Sequence, residues 1–284
     1  SKKENKQYLP GIKIPSNVIA DNSLKNVLDA SEIVIISVPS EFLRKTIMEI
    51  KPYFKNQIFV SAAKGIEQGT AKRMSQVIEE ELGKAKIAVL SGPNHAEEVS
   101  AKMPTASVVA SKDMKSAKIA AECLATPYFK LYCLNDIVGV EICGALKNIS
   151  AIATGVVDGF GFGDNARASI ITLGLMEMNN FGRNFGAKRG TIYGLAGVGD
   201  LIATCTSRHS RNRFLGEQLA KGKKIDEIKK EMHGMIAEGI PTTKAVYECS
   251  KKYSIEMPLA QQAYEVLFEK KDIKKAVKDL LRLV

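Results

Sequence analysis

The chain has 284 residues, 45% of them hydrophobic and 25% charged, enough for one large or two ordinary domains with a real core. No apolar run approaches the ~20 residues of a membrane span, and the opening SKKENKQYLPG has neither the apolar stretch nor the cleavage site of a signal peptide, so a cytoplasmic protein with no membrane span is expected. The formal net charge of +10 sits mainly in stretches such as KKIDEIKKEM and KKDIKKAVKDLL, where lysines alternate with acids as on solvated helix faces; nucleic-acid binding is set aside, although net positive charge favours encounter with a small phosphorylated anion.

Up to about Asp136, short apolar runs rich in β-branched residues alternate with longer amphipathic stretches, the pattern of parallel strands with helical crossovers. Strands are expected over 32–38 (EIVIISV), 57–63 (QIFVSAA), 86–91 (KIAVLS), 106–111 (ASVVAS) and 129–134 (FKLYCL). The first three are apolar nearly throughout, as strands buried on both faces are. They end in turn residues: Pro39-Ser40, Lys64-Gly65 and Gly92-Pro93-Asn94. In an open parallel sheet the ligand crevice lies beyond the carboxyl ends of the strands, so Ser40, Lys64 and Asn94 are expected to face one cleft. A dinucleotide-binding sheet ordinarily opens with a strand, a G-x-G-x-x-G turn and a helix, and no such string occurs here. The first βαβ unit is therefore expected to be missing, with an exposed apolar sheet edge and a weak hold on a dinucleotide as consequences.

From Ile137 onward the period becomes helical, broken by glycine-rich stretches at 155–163, 182–190 and 194–199. This predicts an all-helical domain over 137–284 following an α/β domain over 1–136. Within GVEICGALKNISAIATG (139–155), Ile142, Leu146, Ile149 and Ala153 form one apolar stripe. Beside it run Val140, Gly144, Lys147, Ala151 and Thr154, small residues around one lysine. Lys147 reads equally as an ammonium set in open volume for a substrate or as a lysine snorkelling on an exposed face. Next, Asp164 is expected to cap a helix whose core residues are Ile170, Ile171, Leu173, Leu175 and Met178. In GLAGVGDLIATC, Gly194, Gly197 and Gly199 permit close backbone approach, and Asp200 is expected as a plain N-cap. In SRHSRNRFLGEQLAKG, Ser210 is expected at an N-cap with Arg211, Asn212 and Arg213 in the first turn. Two cations there oppose the helix dipole unless an anion sits on the helix end, the makings of a phosphate site. Cys123, Cys133, Cys143, Cys205 and Cys249 are odd in number and scattered, which suits buried thiols in a reducing compartment. His95, His209 and His233 share no metal-like spacing, and no metal is expected.

The strings YLPGIKIP, AAKGIE, SGPNHAEEV, GVEICGALKN, GDNARASIITLGLMEM, GLAGVGDLIATC, SRNR and AEG, in this order, resemble the soluble NAD(P)-dependent glycerol-3-phosphate dehydrogenases along nearly the whole chain. The resemblance implies a Rossmann-type domain followed by a helical substrate domain, with NAD or NADP as cofactor. It implies hydride-transfer interconversion of dihydroxyacetone phosphate and sn-glycerol 3-phosphate, supplying glycerophospholipid synthesis. Lys147 is implied as the catalytic lysine and Lys64 as lying between cofactor and substrate. Gly92, Asn94, Asn148, Asp200, Thr204, Ser210, Arg211 and Asn212 would surround the substrate. Ala96, Arg211, Ile236 and Glu238 would lie by the cofactor. Position 94 is commonly serine or threonine in bacterial members, and Asn94 offers an amide instead. A small phosphorylated substrate is the expected partner, with a homodimer the one assembly considered. The alternatives are a hydroxyacid dehydrogenase of the 6-phosphogluconate or 3-hydroxyisobutyrate kind, or an inert remnant serving as a binding module.

Overall fold

Five strands carry the first half of the computed structural model, which describes residues 3–232 and 237–282. They are β1 (Ile33–Ile36), β2 (Ile58–Ser61), β3 (Lys86–Ser91), β4 (Thr105–Ser111) and β5 (Phe129–Leu134), side by side in chain order in one sheet. Helices α1 (Leu24–Asp29), α2 (Leu43–Ile50), α3 (Met74–Leu82), α4 (Ala96–Ser100) and α5 (Met114–Leu124) connect them. One apolar cluster packs Leu43, Ile47, Val77 and Ile78 from α2 and α3 against Ile36 and Phe59. Another packs Ala117, Ala120 and Ala121 of α5 against Val60, Ala88 and Val109. The sheet is thus a layer between helices, and β2 is buried throughout.

One expectation about the sheet is corrected. β1, β2 and β3 run parallel, as do β4 and β5, but β4 is antiparallel to β3. A parallel crossover must return the chain along the whole length of a strand, and α4 has only five residues, about 7.5 Å of rise. The rest of that connection is spent in the turns at 92–95 and 101–104, so β4 starts on the side where β3 ends. β1 also differs from the expected two-faced burial: as an edge strand it leaves Ile35 49% exposed.

After Leu134 the described residues hold no strand. The helices are α6 (Ile137–Gly159), α7 (Gly163–Asn184), α8 (Arg189–Ile192), α9 (Asp200–Thr206), α10 (Arg211–Ala220), α11 (Ile225–Glu231), α12 (Gly239–Tyr253), α13 (Pro258–Phe268) and α14 (Ile273–Leu281). A π-helical turn at Leu195–Gly199 runs directly into α9. By length and composition α6 could cross a membrane, yet nearly all of it is buried, as the central helix against which α7, α9, α10 and α12 pack.

Glycines set how closely α10 approaches it. A Cβ on Gly155 would overlap the carbonyl of Arg213, and one on Gly216 would overlap that of Ile152. Gly155→Ala is therefore expected to lower stability by about 1–3 kcal/mol, the usual range for overpacking a tight core. A urea midpoint unchanged from the parent protein would contradict this contact.

Further local expectations are also corrected. Asp164 does not cap α7; it lies in the first turn and pairs with Arg167 three residues on, because Phe162 occupies the N-cap position. Buried are Cys143, Cys205 and Cys249, whereas Cys133 is half-buried and Cys123 exposed.

Candidate active site

The turns after β2 and β3 bring Lys64 and the stretch Gly92-Pro93-Asn94 to the carboxyl edge of the sheet, where α6 and α9 meet it. Gly92 has φ +131°, a conformation reserved for glycine, and any Cβ there would press on Ser107 of β4. The Lys64 ammonium donates to three oxygens: Gly92 O at 3.2 Å, Asn94 Oδ1 at 3.0 Å and Asp200 Oδ2 at 3.0 Å.

Lys147, on the middle of α6, is 5% exposed, which rules out the snorkelling alternative. Its ammonium donates to Asp200 Oδ1 at 2.6 Å and to Thr204 Oγ1 at 2.8 Å. Thr204 is fixed as the acceptor because its own hydroxyl donates to the Asp200 carbonyl at 2.6 Å, one helical turn back. Asp200 is not an N-cap either. It is the first residue of α9, 2% exposed, and its carboxylate bridges two ammonium groups. Burial alone would raise the Asp200 pKa, but the charges of Lys147 and Lys64 and their hydrogen bonds hold it below the ordinary carboxylate value. Burial pushes Lys147 down to about 8, the Lys64 charge adding to the shift and the Asp200 carboxylate opposing it.

Proton bookkeeping separates the two lysines. All three protons of Lys64 are committed, whereas Lys147 has two committed and a third without an acceptor among the described residues.

Around this pair stand Asn148, Asn212 and Glu238. Asn148 Oδ1 accepts from Asn212 Nδ2 at 3.0 Å, and Asn212 Oδ1 accepts from the Gly239 N–H at 2.9 Å. That pinning leaves the buried Asn148 Nδ2 with no partner among the described residues, a donor suited to an acceptor on a ligand. Burial raises the Glu238 carboxyl pKa, opposed by Arg211, Lys64, Lys147 and the backbone of Ser40, so these groups share one cleft. Ser210 caps α10 as expected, accepting from Arg213 N at 3.2 Å. Its hydroxyl proton has no acceptor among the described residues.

The two first-turn arginines part company. Arg213 Nε is neutralised by Asp158 at 2.7 Å, so it needs no anion, while Arg211 is exposed and makes no ion pair among the described residues. Ala96 begins α4 at the cleft edge, exposed. Ile236 lies outside the described residues, as does His233.

Two groups were not singled out from the sequence. His95, between Asn94 and α4, turns its ring toward Ala203 and His209; burial, then the Lys147 charge, lowers its pKa. Its place beside Asn94 was the available signal. Glu141, a carboxylate amid an apolar helix, accepts from Ser75 N at 2.6 Å and pairs with Arg73, tying α6 to α3. No group of metal-binding side chains occurs among the described residues.

Two family models match the chain: NAD-dependent glycerol-3-phosphate dehydrogenase N-terminus over residues 1–117, and the C-terminus of the same family over 136–278. A glycerol-3-phosphate dehydrogenase [NAD(P)+] from Chlorobium phaeobacteroides is 45% identical over 282 residues, covering 98% of this chain and 84% of the relative. One from Desulfitobacterium hafniense is 46% identical, covering 99% and 79%. Among solved structures, a glycerol-3-phosphate dehydrogenase from Coxiella burnetii superposes with a TM-score of 0.95 at 39% identity, covering 99% of this chain and 86% of that one.

Proposed function

Because the chain belongs to the NAD-dependent glycerol-3-phosphate dehydrogenase family, we propose that Lys147 is the proton donor in an NAD(P)-dependent interconversion of dihydroxyacetone phosphate and glycerol 3-phosphate. The observation that carries the role is the free third proton of Lys147, beside a Lys64 whose protons are all committed. Likeness along nearly the whole chain leaves the hydroxyacid-dehydrogenase alternative without support.

The residues at the strand ends suit the nicotinamide end of the cofactor. A carboxamide N–H needs an acceptor, and the half-buried Glu238 carboxyl, held by the Ser40 backbone, offers one. Ala96 and Arg211 stand at the same cleft. Bound there, the cofactor supplies or takes a hydride.

Reduction leaves negative charge on the substrate oxygen. Lys147 delivers its free proton there, while Asp200 and Thr204 hold its other two and keep the ammonium aimed. Lys64 adds a second positive charge beside that oxygen. Asn148 Nδ2 and Asn212 bind the hydroxyl-bearing end of the substrate. Arg211, the Ser210 hydroxyl and the first-turn N–H groups of α10 take the phosphate, and that remote binding aligns the reacting carbon. In oxidation the neutral Lys147 accepts the hydroxyl proton. In this assignment the cofactor domain spans residues 1–136 and the helical substrate domain spans 137–284.

The direction of pH dependence follows. A donor must carry its proton, and the protonated fraction of Lys147 falls as pH rises through about 8. The kcat/KM for ketone reduction is therefore expected to hold below that pH and fall above it. The kcat/KM for alcohol oxidation is expected to rise through the same range. Initial rates of nicotinamide absorbance change in both directions, from about pH 6.5 to about pH 10, check this by bracketing the titration of a group tuned toward neutrality. Two profiles of the same sign would contradict a single group acting as acid one way and base the other.

A further inference from the structure

We propose that Asn94 is a positioning residue that acts through Lys64, as the acceptor that holds its ammonium, and is not itself a donor to the substrate. The inference rests on the reading of Lys64 as a charge beside the reacting oxygen. An ammonium group only donates, so the amide oxygen of Asn94 must face Lys64, and the amide nitrogen faces away from it. Two of the three oxygens around Lys64 cannot be tuned by side-chain choice within the turn: Gly92 O is backbone, and Asp200 is shared with Lys147. Asn94 is the remaining one.

Its reach depends on the turn. The left-handed backbone at Gly92, packed on Ser107, lets one short segment present a carbonyl and a side-chain amide to the same nitrogen. The Lys64 side chain is 16% exposed and runs past Gly144 of α6, where a Cβ would lie 3.6 Å from Lys64 Cγ. Without the Asn94 oxygen, the salt bridge to Asp200 would draw Lys64 toward the carboxylate and away from the strand end.

The test uses the full chain and a double-mutant cycle. Asn94→Leu keeps the volume and removes the acceptor; it is expected to lower kcat about tenfold, as for one hydrogen bond to a charged group, with a smaller change in KM. Asn94→Asp keeps an oxygen for Lys64 but cannot donate; it is expected to recover most of kcat while raising KM for the anionic substrate. In a Lys64→Met background, Asn94→Leu is expected to cost nothing further. An undiminished loss in that background, or a kcat for Asn94→Asp as low as for Asn94→Leu, overturns the inference while leaving the role of Lys64 intact. Full turnover in Lys64→Met alone overturns that role, and the inference with it.

Discussion

Lys147→Met is expected to lower kcat for dihydroxyacetone phosphate reduction by about 10² to 10⁴, the range for a positioned acid, with circular dichroism unchanged. The aliphatic replacement fills similar volume, so α6 should pack as before. The consequence for Asp200 is smaller than for a typical broken buried pair, because Lys64 still donates to its other oxygen at 3.0 Å. Loss of fold is therefore not the expected outcome. A turnover close to that of the parent protein would remove Lys147 from the mechanism, and would leave its free proton and its pKa near 8 without a use.

Arg211→Ala is expected to lower kcat/KM for dihydroxyacetone phosphate by roughly ten- to hundredfold, the worth of hydrogen bonds to a charged group. The same change should matter far less for dihydroxyacetone, which has no phosphate. The contrast with Arg213 sharpens this. Arg213 belongs to the same first turn but is held by Asp158, which also binds Arg167 at 2.7 Å, so Arg213→Ala should act on stability and not on the choice between the two ketones. Equal losses on both ketones for Arg211→Ala would place the phosphate elsewhere.

Strand positions were legible as short apolar runs between turn residues: the expected span 86–91 coincides with β3, and 129–134 with β5, an edge strand whose residues are half-buried or exposed. The reversed direction of β4 was not, since strand direction leaves no periodicity and only the shortness of α4 records it. The site divides the same way. Ser210 announced itself as a cap, and Gly92 as a turn. Asp200 did not, for an aspartate at a helix start reads as a capping residue until two lysines from 53 and 136 positions away are found on it. Likewise the cost of two arginines in the first turn of α10 suggested one anion for both. Asp158, from the far end of α6, already supplies the counter-charge for Arg213. Partners distant in sequence decided each of these cases, and local pattern cannot hold that information. The resemblance to a known family could, because its strings span both partners at once.

Passage of hydride between a nicotinamide cofactor and the phosphorylated three-carbon ketone, for which we propose Lys147 and Lys64 around the reacting oxygen, can be followed by the oxidation of NADH and of NADPH. Each is combined with dihydroxyacetone phosphate and, separately, with the unphosphorylated ketone; 3-hydroxyisobutyrate is offered in the reverse direction with the oxidised cofactors. Saturable oxidation of at least one cofactor that requires dihydroxyacetone phosphate, and that falls by about a hundredfold or more in Lys147→Met, is the expected result. Turnover with 3-hydroxyisobutyrate and none with the phosphorylated ketone would contradict both the substrate and the roles given to the two lysines.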